Sequence, residues 1–169
     1  MSVGIEAPIS KHVGDALPDD LFERLNGRDL QAVADRAIVV CSVDEHGFPH
    51  PALLSYFEVV ATDRRTIRLA MYSSSRTLRN ARREGRLTLV LVDAGVAYYV
   101  KGAVQELSRS MRATPYNTKL GLEIAEVLSD EPNPELEPDA CISSGITYVN
   151  PRRAEELERA RQVLAELSE

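Results

Sequence analysis

Between residues 37 and 107, hydrophobic and polar positions follow the short period that is typical of β-strands. Residues 37–43 are apolar and β-branched, and residues 67–72 alternate Ile, Leu and Met with Arg, Ala and Tyr. Further apolar segments of strand length lie at residues 49–60, 87–92, 96–107 and 142–149. Short polar turns separate most of them, and such turns join antiparallel strands, because a parallel crossover needs about a dozen residues or more. The pattern predicts six antiparallel strands.

Helical patterns lie towards both ends of the chain. Residues 18–30 place several leucines near one face, and Asn26-Gly27 interrupts or ends that pattern. Residues 152–167 are amphipathic as well, and they follow an Asn-Pro pair that suits the start of a helix. We predict one helix in each of these two segments.

Two further helices are predicted between strands. Ser75 and Gly85 have the residue types that begin and end helices, so we expect a helix between them. Residues 114–129 begin with Thr-Pro and then carry apolar residues at helical spacing, which predicts a second helix. Residues 130–139 are acidic and rich in proline, so we expect an irregular surface loop there.

These elements indicate a mainly β protein with peripheral helices, an α+β fold built on an antiparallel barrel. The 169 residues fit a single domain spanning residues 1–169, with the core barrel at about residues 37–149. Hydrophobic residues make up 44% of the chain and charged residues 27%, which is typical of globular proteins.

Charge and composition argue against several classes of function. The formal net charge is -6 and the pI about 5.2, which disfavours a broad nucleic-acid surface. No apolar run is long enough to span a bilayer, and no basic segment followed by an apolar stretch suggests a secretory signal. We therefore expect a cytoplasmic protein that keeps Cys41 and Cys141 reduced. The three histidines are scattered, so we predict no metal site.

The candidate binding feature is the segment Ser73-Ser74-Ser75-Arg76-Thr77. It places hydroxyl groups at a helix N-terminus, where backbone N–H groups and the helix dipole favour an anion. Arg76 lies at the end of the helix where a cation is unfavourable, and an anion bound beside it would explain its position. We predict an anion site that suits the phosphate of a cofactor.

Three sequence segments resemble those of a known family. Residues 40–49 read VCSVDEHGFP, residues 75–77 read SRT and residues 86–89 read RLTL. Together with the strand order, they resemble the FMN-binding split β-barrel family, whose best-known members are pyridoxamine 5'-phosphate oxidases. The resemblance covers roughly residues 37–104. It implies a six-stranded split barrel and a homodimer with two FMN sites built from both chains. It also implies a flavoprotein oxidoreductase that passes hydride through the flavin N5 to a small-molecule substrate.

The same resemblance implies which residues contact FMN. The residues expected along the flavin ring are Leu53, Leu54, Ser55, Ala70 and Met71. The residues expected at the phosphate are Ser75, Arg76, Thr77 and Asn80. Ala97 corresponds to one further contact. No side chain has the features of a general acid or base, so catalytic residues stay unassigned.

The chain departs from the oxidases at several cationic positions. The arginine and lysine that the oxidases direct to the FMN phosphate correspond here to Ala52 and Phe57, and a further lysine corresponds to Thr77. The chain also contains no Trp, whereas the oxidases use a C-terminal Trp and Arg. Because charge-assisted hydrogen bonds are the strong ones, these losses argue against pyridoxamine phosphate oxidation specifically.

Two alternatives to an FMN enzyme remain open from the sequence. The missing cations leave room for a deazaflavin, or for haem with His50 as the candidate axial ligand. The other alternative is a cofactor-free binding module whose helices contact partners.

Overall fold

The computed structural model describes residues 10–169. This part of the chain forms eight β-strands, three α-helices and one short 3₁₀ helix. The strands are β1 (Ser10–Gly14), β2 (Ala37–Val43), β3 (Pro49–Ser55), β4 (Val59–Ala61), β5 (Thr66–Tyr72), β6 (Arg86–Asp93), β7 (Val96–Ser108) and β8 (Asn117–Asp130). The helices are α1 (Asp19–Leu25), α2 (Arg76–Glu84) and α3 (Arg153–Ser168), and the 3₁₀ helix spans Tyr56–Glu58.

All eight strands pair antiparallel in one sheet: seven follow the order β3-β2-β6-β7-β8-β5-β4, and β1 pairs with β8 outside this path. Strand β8 connects the parts of this sheet, because β7 pairs along one of its edges while β5 and β1 pair in turn along the other. Strands β3 and β4 lie at the two ends of the path. The mainly β, antiparallel architecture with peripheral helices is confirmed.

The sheet encloses one large apolar core. Ile38, Leu69, Leu89 and Leu122 come from four different strands, and each is fully buried in the same cluster. Helix α1 contributes Leu21, which is also fully buried there. Burying a side chain of this size contributes about 1.5–3 kcal/mol, so these contacts hold the curled sheet around its core.

Helix α3 packs on the other face of the sheet. Its residues Val163, Leu164 and Leu167 form a second apolar cluster with Val60 of β4 and Ala70 of β5. Neighbouring residues on a strand point to opposite faces, which is why Leu69 joins the inner core while Ala70 contacts α3. The helix therefore forms an outer layer over β4 and β5.

The prediction of six strands is wrong in number, because the described residues form eight. Residues 49–60 are not one strand: a 3₁₀ turn at Tyr56–Glu58 separates β3 from β4. Strand β1 has no clear alternating pattern, since its three central residues are all exposed. It is held by pairing with β8 instead, and local sequence does not reveal that pairing.

Most of residues 114–129 form strand β8, so the helix predicted there is wrong. The large buried apolar side chains of β8 alternate from Leu120 to Ile124, and the next one is Val127. The step of three arises at a β-bulge, where Ala125 has no partner on β7. Because of this extra residue, the apolar positions on either side of the bulge are three residues apart instead of two. That separation resembles the spacing of apolar residues in a helix.

The strand predicted at residues 142–149 is also wrong. The segment makes only a single bridge, between Thr147 and Arg36. Three backbone hydrogen bonds hold it: Gly95 donates to Ile142 at 2.7 Å, Ala37 donates to Ile146 at 3.0 Å and Tyr148 donates to Asp35 at 2.8 Å. We call residues 142–148 the strap, because they lie across the ends of β2 and β6.

Several local predictions are confirmed. Helix α2 begins after Ser75 and ends at Gly85, which has a positive φ of 64°. Helices α1 and α3 lie within a few residues of the predicted 18–30 and 152–167. Residues 131–139 contain no helix or strand. Neither Cys41 nor Cys141 is in a disulfide within residues 10–169, and their reduced state stays a prediction. Across residues 10–169 there is no helix with the length and apolar character that crossing a membrane requires.

One carboxylate anchors the last turn of α3. Glu166 accepts the backbone N–H groups of Arg112 and Ala113, each at 2.8 Å, and its side chain is almost buried. Burial would raise the pKa of the Glu166 carboxyl, but these two N–H donors and the cations of Arg112 and Lys119 hold that pKa below its usual value. The ionised form of Glu166 therefore stabilises the fold.

We expect Glu166→Gln to lower the free energy of unfolding by about 1–3 kcal/mol at pH 7, because an amide leaves one of the two N–H groups without an acceptor. Since the folded-state pKa is depressed, this contribution is complete above the ordinary carboxyl pKa of 4.5 and is lost as pH falls below it. Urea denaturation at pH 7 and pH 4 measures both effects. Glu158→Gln, at an exposed position of the same helix, is the control. An equal deficit at both pH values would contradict the prediction.

Candidate functional site

A cavity of about 520 Å³ lies between the sheet and helix α3. The sheet side consists of residues from β2, β3, β5 and the start of α2, and the opposite side consists of α3, the last residue of the strap and Asn150. Apolar side chains, among them Val40, Met71 and Val163, line much of it. Its size and mixed lining are typical of small-molecule sites, which range over about 300–1,000 Å³.

The end of β3 forms one wall of the cavity with Leu53, Leu54 and Ser55. Here the chain turns into the 3₁₀ helix through a capping box: the Ser55 hydroxyl accepts the N–H of Phe57 at 3.1 Å, and the Ser55 N–H donates to the Glu58 carboxylate at 3.0 Å. Burial raises the pKa of the Glu58 carboxyl, while the Ser55 N–H and the Arg153 cation act in the opposite direction.

The N-terminus of α2 contributes Ser75 and Thr77, which we call the hydroxyl end of the cavity. The Ser75 hydroxyl accepts the N–H of Leu78 at 3.1 Å and so caps the helix. Thr77 also lines this end of the cavity, and only 4% of this residue is exposed.

Helix α3 and residue 36 contribute three cations to the cavity: Arg36, Arg153 and Arg159, which we call the arginine end. The guanidinium of Arg153 lies over the ring of Phe57, 4.9 Å from its centroid, and 5.9 Å from the centroid of Tyr148. One of its terminal nitrogens is 2.9 Å from a carboxylate oxygen of Glu156. The two rings and this ion pair hold Arg153 in a defined position.

Two buried polar atoms on cavity-lining residues have no hydrogen-bond partner among residues 10–169. They are Oδ1 of Asn117 and Nε of Arg153. Asn117 is only 2% exposed, and its amide nitrogen donates to the Thr114 hydroxyl at 3.1 Å. Buried polar groups are nearly always paired, so both atoms are available to a molecule bound in this cavity.

Two tyrosines lie at the opening of the cavity. The rings of Tyr72 and Tyr116 stack with centroids 5.3 Å apart and an angle of 22° between their planes. Tyr72 is 55% exposed and Tyr116 47%, and Leu53 beside them is 54% exposed. The cavity therefore opens towards an apolar, partly aromatic surface.

The structure brings six of the ten residues expected at the cofactor into this one cavity: Leu53, Leu54, Ser55, Met71, Ser75 and Thr77. The other four lie elsewhere. Ala70 faces α3 from the next position on β5, and Arg76 is exposed outside the cavity lining. Asn80 is buried and donates to the Ser42 hydroxyl at 3.0 Å. Ala97 is buried where β7 pairs with Val92 of β6.

Sequence reasoning did not find the wall that α3 provides. The residues concerned are Arg153, Glu156, Ala160 and Val163, which share one face of the helix. Their spacing of three or four residues is visible in the sequence and could have identified that face. It could not have shown that the face meets β3 and β5, because this contact depends on how the chain returns across the sheet.

Comparisons with solved structures show the fold. A candidate pyridoxamine 5'-phosphate oxidase from Lactobacillus delbrueckii superimposes with a TM-score of 0.56 at 16% identity, covering 69% of this chain and 98% of that one. HupZ from Group A Streptococcus superimposes with a TM-score of 0.54 at 11% identity, covering 69% and 99%. The chain thus has the split β-barrel fold of pyridoxamine 5'-phosphate oxidase-like proteins, as the sequence resemblance implied.

Sequence comparison adds one curated relative. The uncharacterized protein YclD of Bacillus subtilis (strain 168) is 37% identical over 87 residues, which make up 52% of this chain and 56% of YclD. The match thus spans little more than half the length of that relative. No protein-family model matches the sequence.

We expect Gly145→Ala to detach the strap from the sheet. A Cβ at this position would lie 2.0 Å from the backbone oxygen of Val92, which cannot move without disturbing β6. Chymotryptic cleavage after Tyr148 should become about tenfold faster or more, which corresponds to a loss of about 1.4 kcal/mol in local opening. Ser144→Ala, at the exposed neighbouring residue, should cleave at the wild-type rate. Unchanged cleavage in the glycine variant would show that the strap does not depend on this contact.

Proposed function

We propose that the protein is an FMN-binding oxidoreductase that works as a homodimer. The observation that carries this proposal is the single cavity that joins residues 53–55 and Met71 to the hydroxyl end at Ser75 and Thr77. The sequence resemblance links the first group to a flavin ring and the second to its phosphate. Their convergence on one cavity of about 520 Å³ supports both assignments together.

The residues of the cavity fit a flavin. Leu53 and Met71 give the ring apolar surfaces, and the unpaired amide oxygen of Asn117 can accept a hydrogen bond from it. At the start of α2, the Thr77 hydroxyl and the first backbone N–H groups can donate to a phosphate. Arg76 is exposed at the same turn, where it adds a positive charge close to that phosphate.

When bound, FMN supplies hydride transfer at its N5 atom. The chain itself binds and orients the cofactor, and α3 covers one side of the cavity and limits the access of water. Burial raises the pKa of the Glu58 carboxyl, which also accepts the Ser55 N–H beside the cavity.

The homodimer is supported by the apolar surface at the cavity opening. Leu53, Tyr72 and Tyr116 are about half exposed there, and large apolar patches often mark contact surfaces. A second copy of the chain would cover this opening and complete the site.

Haem is the less well supported alternative. An axial histidine would have to reach the cavity, yet His12, His46 and His50 are all absent from its lining. His50 lies on the edge strand β3, where its carbonyl oxygen accepts the Ser42 hydroxyl at 3.3 Å. A deazaflavin has the same ring shape as FMN, so a parallel titration with each cofactor separates these two possibilities.

We expect the protein to bind FMN with a shift of the flavin absorbance and quenching of its fluorescence. Thr77→Val should raise the Kd for FMN about two- to tenfold, because it removes one hydrogen bond worth about 0.5–1.5 kcal/mol while keeping the side-chain shape. Thr88→Val, at a half-buried site on β6 outside the cavity, should bind as the wild type does. A wild-type protein that neither carries nor binds FMN would refute the proposal.

We expect light scattering to give a mass of twice the 18.7 kDa of one chain. Leu53→Glu should shift the protein towards the monomer, because it places a charge in the apolar surface at the cavity opening. Leu136→Glu is the matched control, since Leu136 is 56% exposed but belongs to the acidic loop. A wild-type monomer at all concentrations, or dissociation of the control, would contradict the homodimer.

A further inference from the structure

The arginine end of the cavity carries an excess of positive charge. Arg36, Arg153 and Arg159 face two carboxylates, those of Glu58 and Glu156, so one positive charge is left over. Glu156 already accepts hydrogen bonds from Asn150 at 3.0 Å and from Arg153 at 2.9 Å. Within residues 10–169, neither Arg36 nor Arg159 has a carboxylate partner. Both cations are therefore available to pair with an anion that enters the cavity.

Arg153 is prepared for such an anion. Its side chain is 13% exposed, and its guanidinium contacts two aromatic rings. One is Phe57 of the 3₁₀ helix and the other is Tyr148 of the strap. One terminal nitrogen is engaged by Glu156, while Nε is buried without an acceptor. A guanidinium fixed in this way loses little conformational freedom when it binds a further oxygen.

The arginine end lies on different elements from the hydroxyl end. Ser75 and Thr77 belong to the start of α2, whereas Arg153 and Arg159 belong to α3. The cavity is therefore lined by hydroxyl groups from α2 and by cations from α3, together with apolar residues such as Met71 and Val163.

We propose that the arginine end binds the carboxylate of the substrate, so that the protein acts on a small organic acid. This proposal rests on the proposed function, in which the hydroxyl end is taken by the FMN phosphate. A single excess positive charge matches a monoanion better than a phosphate dianion, and the planar guanidinium fork matches a carboxylate. Phe57 and Tyr148 would pack against an apolar or aromatic body attached to that carboxylate.

Benzoate, benzamide and phenyl phosphate are suitable probes, since they share a ring and differ in charge. We expect calorimetry on the FMN-loaded protein to show benzoate binding at least about tenfold more tightly than benzamide. Arg159→Gln should reduce that preference several-fold, and Arg153→Gln should reduce it about tenfold, because charge-assisted hydrogen bonds are lost. Arg161→Gln is the control, since Arg161 lies on α3 outside the cavity lining and pairs with Glu158. Arg159 is exposed, so its variant remains folded and interpretable.

The outcomes separate this proposal from the proposed function. Equal binding of benzoate and benzamide by an FMN-loaded protein would overturn the carboxylate site alone. Phenyl phosphate binding more tightly than benzoate would overturn it in favour of a phosphate. Weaker FMN binding in Arg159→Gln with unchanged benzoate binding would place the cofactor phosphate at the arginine end and overturn it as well. An arginine-dependent preference for benzoate in a protein that binds no FMN would support the carboxylate site and refute the flavin.

Discussion

The attachment of α3 to the outside of the sheet is the contact on which the candidate site depends. Glu166 accepts two backbone N–H groups from residues 112–113, while neighbouring apolar residues bury against Val60 and Ala70. Together these contacts give the helix one favoured position, because any shift would leave buried polar groups unpaired. That position directs Arg153 and Arg159, which lie about two to four turns earlier, towards the cavity.

Local sequence signals sufficed where neighbouring residues determine the structure. The hairpins β2–β3 and β6–β7 follow from apolar strand segments joined by short turns, and the ends of α2 follow from Ser75 and Gly85. Strand β8 was not predictable in this way, since the bulge at Ala125 disrupts its alternation. The strap was not predictable either, because its backbone hydrogen bonds reach residues about 50 to 110 positions away.

The candidate site was only partly visible in the sequence for a similar reason. Residues from β3, β5 and α2 converge as expected, but Ala70 and Met71 point to opposite faces of β5. Phe57 stands where the resemblance leads us to expect a lysine, yet the guanidinium of Arg153 lies 4.9 Å above its ring. Arg153 thus places a positive charge close to the position where the resemblance leads us to expect one, although it belongs to a distant part of the chain. Assigning roles to residues position by position cannot detect such a replacement.

Two prolines on the edge strand limit how these barrels can associate. Pro49 and Pro51 occupy two of the seven positions of β3, and neither has an N–H group to share with an incoming strand. A neighbouring molecule therefore cannot extend the ladder along this border, which protects the protein from fibre-like growth there. At this border, copies of the chain can associate only through contacts between side chains. Such an assembly stops growing once those side-chain surfaces are covered.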